Sequence, residues 1–201
     1  RLAYALGEGA TARLALVDGD SGDLLADNPH GFDVSLAGDK LLLAEYEQIS
    51  ERGDDAVPDR WRLAAWHHGG PFADADGRER SASWGGMVAV DHALTDELGW
   101  FGRISLSRSA TSLAPLALET GINLAPPAQL PGTLGFGVAW LKLDRDLAAA
   151  AGIDDADHET ALEATWSIPL GETWHVQPDL QYILQPGGRA AADDARPEEH
   201  A

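Results

Sequence analysis

Cysteine is absent from the 201 residues, which excludes a disulfide framework and zinc sites built on thiolates. The chain also lacks any apolar run near the ~18–20 residues that a transmembrane helix needs, so a helical membrane protein is excluded. A transmembrane barrel stays open, because each of its strands needs only about 9–11 alternating residues. Basic residues are scarce: 14 Lys and Arg stand against 33 Asp and Glu, for a net charge of −19. Such acidity repels phosphates, so nucleic acid is not expected as a partner.

Short runs of alternating apolar and polar residues lie between Gly-, Pro- and Asp-rich turn signals, and this alternation predicts β-strands. We predict strands at 10–17, 40–49, 60–68, 83–93, 99–108, 117–125, 133–143, 159–168 and 174–184, with a possible further strand at 2–6. Segments such as 69–81 between them are predicted loops, and 144–158 is expected to contain a helical turn. Residues 1–188 are predicted to form one β-domain, and 189–201 a charged, disordered tail.

The predicted strands have one apolar and one polar face. In 174–184 the apolar face is Trp174, Val176, Leu180, Tyr182 and Leu184, and the polar face is His175, Gln177, Asp179 and Gln181. All seven tryptophans lie within or at the edge of predicted strands, as expected of aromatic girdles at a membrane interface. This pattern is typical of a barrel whose outer face meets lipid and whose inner face meets water. A soluble β-sandwich with a tryptophan-rich core remains the alternative, but glycine-rich inward positions and short turns favour the barrel.

Motifs for metal binding and catalysis are weak. Asp18-Gly-Asp-Ser-Gly-Asp23 resembles the start of a calcium loop, yet its twelfth position is Pro29, so a solvated loop is expected. His67 and His68 are adjacent on a predicted strand and point to opposite faces, so they cannot share one metal ion. The sequence contains no Gly-x-Ser-x-Gly elbow and no phosphate-binding glycine loop. We therefore expect no metal and no cofactor.

Six segments of the chain carry a resemblance to a known family. They are Leu41-Leu-Leu-Ala-Glu-Tyr46, Arg60-Trp-Arg-Leu-Ala-Ala-Trp-His-His-Gly69, Ser83-Trp-Gly-Gly-Met-Val-Ala-Val-Asp91, Trp100-Phe-Gly-Arg-Ile-Ser105, Gly132-Thr-Leu-Gly-Phe-Gly-Val-Ala-Trp140 and the segment 174–188. In this order they resemble the carbohydrate-selective porins of the OprB family. The second is similar to the family's "W-R-L-G-A-W-Y-H-T-G", with His67 in place of the usual Tyr. Met87 and Val88 replace common aromatics, and His92 replaces Gln, so the resemblance leaves the chemistry of the pore open.

The resemblance implies an all-β fold, an antiparallel transmembrane β-barrel in the bacterial outer membrane. Porins of this type are expected to have 16 strands, about twice this length, and a last strand that ends in an aromatic residue. The nine or ten strands predicted here therefore suggest the C-terminal part of a porin without its final strand. The chain begins at Arg1 without a recognisable signal peptide, so we expect that processing or truncation removed the true start. Outer-membrane lipid is an expected partner, and a homotrimer is one possible assembly.

By resemblance, the function is passive diffusion of sugars such as glucose or oligosaccharides, with no enzymatic step. Sugar hydroxyls need planar hydrogen-bonding groups, and the C–H surface of a sugar ring needs an aromatic face. Candidate channel-lining residues are Arg62, Trp66, Asp91, Arg103, Glu163, Gln177, Asp179 and Gln181. Trp66 could be a stacking platform and Arg62 a donor; alternatively, Trp66 packs in an aromatic belt and Arg62 pairs with a carboxylate on the wall. Two other functions stay open: a soluble carbohydrate-binding β-sandwich, and an outer-membrane barrel without sugar preference.

Overall fold

A computed structural model describes residues 1–19, 38–50, 59–126, 130–153, 155–171 and 173–188. Within these residues, eleven strands form one antiparallel sheet. They are β1 Leu2–Gly7, β2 Ala10–Asp18, β3 Lys40–Ser50, β4 Asp59–Ala73, β5 Glu79–Ala93, β6 Leu98–Ser107, β7 Leu116–Leu124, β8 Thr133–Lys142, β9 His158–Leu170, β10 Trp174–Val176 and β11 Asp179–Leu184. Each strand from β1 to β9 pairs with the next along the chain, and β10 and β11 both pair with β9. The predicted all-β antiparallel fold is confirmed.

The pairing register assigns every strand residue to one of two faces, because directly opposed residues point to the same side. Glu47, Arg62, Ala89, Arg103 and Glu119 are opposed in one row across β3 to β7. The face that carries this row is called the inner face. Ala89 is only 4% exposed, although among the described residues no second layer covers it. Side chains on this face are therefore crowded together, as on the concave side of a curved sheet.

The opposite, outer face is apolar and exposed. It carries most of the large exposed hydrophobic residues, among them Tyr4, Trp61, Leu63, Ile104, Leu118, Phe136, Leu180 and Tyr182. Trp61 and Leu63 are 52% and 49% exposed, whereas Arg62 between them is half-buried on the inner face. An apolar surface that extends over a whole sheet marks contact with a membrane or another protein.

The strands predicted from the sequence are all present, including the one at 2–6, but β4 and β5 are longer than expected. The sequence predicts that a loop begins at Gly69-Gly-Pro71, and this boundary between strand and loop is wrong. The chain keeps pairing through a register shift between Gly69 and Phe72, with Gly70 at φ 140°, a conformation that favours glycine. This bulge lets the two strands continue to a tight turn at 74–78.

The strand predicted at 174–184 is interrupted. Gln177 and Pro178 separate β10 from β11, and both pieces lie along the same edge of β9. Proline has no N–H to donate to a sheet ladder, so the break occurs where pairing would require that donor. The carbonyl of Pro178 still accepts a hydrogen bond from the N–H of Trp166 at 3.1 Å, which holds the break against β9.

The helical turn predicted within 144–158 is confirmed as α1, Arg145–Ala150, the only α-helix in the described residues. The Asp144 side chain caps it by accepting from the N–H of Leu147 at 3.1 Å. Beside α1 a small cluster of Leu143, Ala148 and Ala156 is buried. No helix in the described part of the chain is long and apolar enough to span a membrane.

The two ends of the sheet carry different connections. One end, called the turn end, has connections of two to eight residues, among them 8–9, 94–97 and 171–173. The other, called the loop end, has the two longest connections, 19–39 and 143–157, together with the tight turn 74–78. The solvated loop expected at Asp18–Asp23 lies outside the described residues beyond Gly19. The predicted tail at 189–201 lies outside them as well, so the domain boundary at 188 stays a prediction.

Candidate functional site

The predicted lining residues lie on the inner face wherever they belong to a strand. They are Arg62 and Trp66 on β4, Asp91 on β5, Arg103 on β6, Glu163 on β9, and Asp179 and Gln181 on β11. Gln177 lies in the break between β10 and β11 and is exposed. The seven strand residues thus share one face of the sheet, and the register shows which of them meet. That they line a channel stays a prediction.

Cross-strand ion pairs run along the inner face. Arg13 donates to Glu45 and, at 2.8 Å, to Glu47, which is also 3.7 Å from Arg60. The Arg103 guanidinium donates to Glu119 at 2.6 Å. These pairs are partly exposed, and such pairs contribute only about 0–1 kcal/mol each. These ion pairs therefore make the inner face polar but add little to the stability of the fold.

Arg62 follows the alternative that the sequence left open, because it lies near a carboxylate on the same wall. Its guanidinium is 3.4 Å from Asp91, at the long limit for a hydrogen bond, and the Arg62 side chain remains 27% exposed. The contact is therefore a weak one, and part of the Arg62 side chain stays exposed on the inner face.

The central inner-face charges alternate in sign from strand to strand and balance one another. From β2 to β7 they are Arg13, then Glu45 and Glu47, then Arg60 and Arg62, then Asp91, then Arg103, then Glu119. These four arginines and four carboxylates balance one another, whereas Glu79, at the loop end of β5, adds one negative charge to the same face. Sequence reasoning missed Arg13, Glu45, Glu47, Arg60 and Glu119, although their alternation with apolar neighbours was a usable signal.

Trp66 is separated from the other tryptophans. The register places Trp61, Trp84, Trp100, Trp140, Trp166 and Trp174 on the outer face and Trp66 on the inner face. Trp66 is opposed by Gly85, and a Cβ at position 85 would lie 2.6 Å from the indole Nε1. The indole therefore lies across β5 in the space that any larger residue at 85 would need.

Phe101 is a second inner-face aromatic, and it was not predicted. It is opposed by Asp91 on one side and by Gly121 on the other. Because Trp100 and Phe101 are adjacent on β6, one of the two rings had to point inward. The inward position of Arg103, two residues further, was the signal that could have identified it.

Glu163 and Asp179, the acidic residues on β9 and β11, do not lie opposite each other. Gln181, not Asp179, is opposed to Glu163, and its amide donates to the Glu163 carboxylate at 2.7 Å. Asp179 is opposed to Thr165. This edge therefore presents a carboxylate held by an amide, with acceptor and donor atoms side by side.

Two carboxylates at the loop end, Asp157 and Asp74, each accept several hydrogen bonds. Asp157 accepts from Lys142 at 2.7 Å and from Arg145 and His158 at 2.9 Å, and these donors hold its pKa well below the usual range. In the hairpin 74–78, the backbone N–H of Arg78 and the Arg80 guanidinium lower the pKa of Asp74 in the same way.

The two adjacent histidines point to opposite faces, as predicted. His68 lies 2.6 Å from the carbonyl of Gly19 and meets Phe72 edge to face, whereas His67 is exposed on the outer face. No group of three or more His, Asp or Glu side chains within the described ranges is arranged to hold a metal ion.

Comparisons with known proteins agree with this geometry. The family model described as "Carbohydrate-selective porin, OprB family" matches residues 1–196. Porin B of Pseudomonas aeruginosa is 24% identical over 207 residues, covering 83% of this chain and 46% of that protein. A solved structure, "High pH structure of Pseudomonas putida OprB", superposes with a TM-score of 0.74 at 20% identity, covering 93% of this chain and 53% of the other. The chain thus spans about half the length of these relatives.

Proposed function

Because the chain belongs to the OprB family of carbohydrate-selective porins, we propose that its inner face is one wall of a channel for passive diffusion of carbohydrates and other small hydrophilic solutes. Family membership also confirms the predicted location in the bacterial outer membrane. The family is one of channels, and we infer that the chain has no enzymatic step.

The observation that carries this proposal is the division of the sheet into two faces. Exposed apolar side chains such as Leu63 and Ile104 cover the outer face, where hydrocarbon can replace water at no cost in hydrogen bonds. Charged and amide side chains occupy the inner face of the same strands. In bacterial barrels the longer loops are extracellular and the short turns periplasmic. The loop end would accordingly face the outside of the cell, and outer-membrane lipid would surround the outer face.

The inner face is suited to solutes with many hydroxyl groups. Arginine donors and carboxylate acceptors alternate across neighbouring strands, about 4.8 Å apart, so a sugar could exchange its water molecules for protein groups on both sides. Since the eight central charges from Arg13 to Glu119 balance, this part of the wall does not need a counter-ion in the path of a neutral solute. Trp66 is proposed to stack against the C–H surface of the sugar, and Arg62 to donate to its hydroxyls.

Planar-bilayer recording from the full-length porin that carries this sequence tests the proposal. We expect channels whose conductance is blocked by increasing glucose or maltose, and weaker block after Trp66→Ala or Arg62→Ala. Trp84→Ala is the matched control, because Trp84 is opposed to His67 on the outer face and is 52% exposed.

Three outcomes would contradict parts of the proposal. A large conductance without any sugar effect would indicate a barrel without sugar preference. A chain that stays soluble without detergent and forms no channel would favour the soluble sugar-binding sandwich. Equal loss of sugar block in the Trp66 and Trp84 variants would remove Trp66 from the solute path. The homotrimer stays a prediction, which the mass of the detergent-solubilised porin tests.

A further inference from the structure

One row of the inner face near the turn end combines an aromatic ring, two glycines and flanking polar groups. In this row, directly opposed residues run across six strands from β5 to β9 and β11. They are Asp91, Phe101, Gly121, Gly137, Glu163 and Gln181. The two glycines leave the backbone beside the ring without side chains, so a shallow recess lies between Phe101 and Glu163.

The Phe101 ring extends over this recess. A Cβ at position 121 would lie 2.6 Å from both Cε1 and Cζ of Phe101, so the ring edge fills the space above Gly121. A Cβ at position 137 would still be 3.8 Å from Cζ, within ordinary contact distance. Phe101 is half-buried, which means that part of the ring stays open to the channel side. Because the two glycines have no side chains, the Phe101 ring can lie along the inner face without blocking the channel.

Polar groups border the ring on both sides. Asp91 is directly opposed to Phe101, and the Arg103–Glu119 pair lies on the same face two residues further along β6 and β7. Across the glycines, Gln181 and Glu163 present an amide and a carboxylate joined at 2.7 Å. An apolar surface bordered by planar donors and acceptors matches a ring with a C–H face and peripheral hydroxyls.

We propose that Phe101 and its neighbours form a second sugar-binding subsite, which takes neutral sugars in their cyclic, pyranose form. The inference rests on the proposed function and deepens it. Trp66 is opposed to Gly85, which lies six residues from Asp91 along β5. At ~3.3 Å per residue, the two aromatic platforms are about 20 Å apart along the wall. A sugar leaving the Trp66 platform towards the turn end would next meet Phe101.

Variants of the full-length porin test this subsite through the block of channel conductance by glucose and by sorbitol. Sorbitol has a similar size and hydroxyl content but no ring, so it cannot offer a flat C–H face. We expect Phe101→Ala and Phe101→Leu each to weaken glucose block about two- to tenfold, the range given by aromatic contacts, with sorbitol block unchanged. Phe101→Trp should preserve the preference for glucose.

Phe136→Ala is the control for loss of a ring, because Phe136 lies on the outer face and is 49% exposed. Folding of each variant is checked by its heat-modifiable migration, and Phe101→Leu, which keeps apolar volume, remains informative if the alanine variant folds poorly. Glucose block that survives Phe101→Leu, or an equal loss for sorbitol, would overturn the subsite and leave the proposed function standing. A wild-type channel without glucose block would instead overturn both.

Discussion

Arg103 and Glu119, on neighbouring strands β6 and β7, face each other on the inner face with a guanidinium–carboxylate distance of 2.6 Å. Their side chains are 38% and 32% exposed, so solvent reaches both. A pair in this setting contributes about 0–1 kcal/mol to stability. Its larger effect is to cancel two charges at the surface along which a solute would travel.

Neutralising one member of this pair should therefore change ion selectivity more than stability. Arg103→Gln leaves the Glu119 carboxylate uncompensated, and we expect the preference for K⁺ over Cl⁻ to rise by up to about fivefold, since a unit charge at ~4 Å in water is worth ~1 kcal/mol. Reversal potentials in a KCl gradient measure this change. The double variant Arg103→Gln/Glu119→Gln should return to the original selectivity; if it keeps the cation preference, the pair is not the cause.

The outer and inner faces should respond differently to the same substitution on adjacent residues. Ile104 is 40% exposed on the outer face, and Ser105 is half-buried on the inner face of the same strand. Ile104→Arg should destabilise the folded, membrane-inserted porin by about 2–4 kcal/mol if it lies near the bilayer midplane. Ser105→Arg should cost much less, because its charge would meet water. Urea titration of folding into lipid vesicles measures both, and equal effects would contradict the assignment of the faces.

Alternation along the chain predicts the shared face of Arg62, Asp91 and Glu163. It could not predict which residues meet, because register depends on how strands pair across connections of unknown geometry. Arg13 and Glu45, for example, are 32 residues apart in sequence. The residues Gly69-Gly-Pro71 are typical of a loop, and the loop predicted there is wrong. Pairing between β4 and β5 continues through them.

Phe101 shows a further limit of sequence patterns. A rule that places apolar side chains in lipid and polar ones in water has no position for an apolar ring on a polar wall. The position of Arg103 can place the ring on the inner face, but the space that accommodates the ring is evident only once Gly121 and Gly137 are known to be its neighbours on β7 and β8. Trp66 and Phe101, two aromatic residues that depart from the binary pattern, are thus among those for which a role in solute contact is proposed.

Gly85 and Gly137 differ in the space above their Cα atoms, so alanine substitutions at the two positions should differ in their effect on stability. A Cβ at Gly85 would lie 2.6 Å from Trp66 Nε1 and 2.7 Å from the carbonyl oxygen of Leu106, so Gly85→Ala should displace the indole and cost about 1–3 kcal/mol. At Gly137 the nearest atoms would be 3.8–3.9 Å away, and Gly137→Ala should change stability by less than about 0.5 kcal/mol. Urea titrations compare the two, and equal stabilities of Gly85→Ala and Gly137→Ala would contradict the contact.

Asp157 should make the order of the loop end sensitive to strong acid only. Lys142, His158 and Arg145 lower the pKa of Asp157, so its contacts stabilise the loop above the ordinary aspartate pKa of ~3.9. That contribution is lost as the pH falls from there through the lowered value. Amide exchange at Leu143, whose N–H donates to the Asp157 carbonyl at 2.8 Å, should stay slow at pH 4 and speed up in stronger acid.

In Asp157→Asn the Leu143 amide should exchange fast even at neutral pH, because a single amide oxygen cannot accept from Lys142, Arg145 and His158 as the two carboxylate oxygens do. Asp146→Asn, an exposed carboxylate in the first turn of α1, is the matched control and should keep the slow exchange. If Leu143 exchanges equally in the wild-type protein and Asp157→Asn, the buried cluster of Leu143, Ala148 and Ala156 orders the loop by itself. The charged contacts would then be a consequence of that order, and acid would leave the loop end intact.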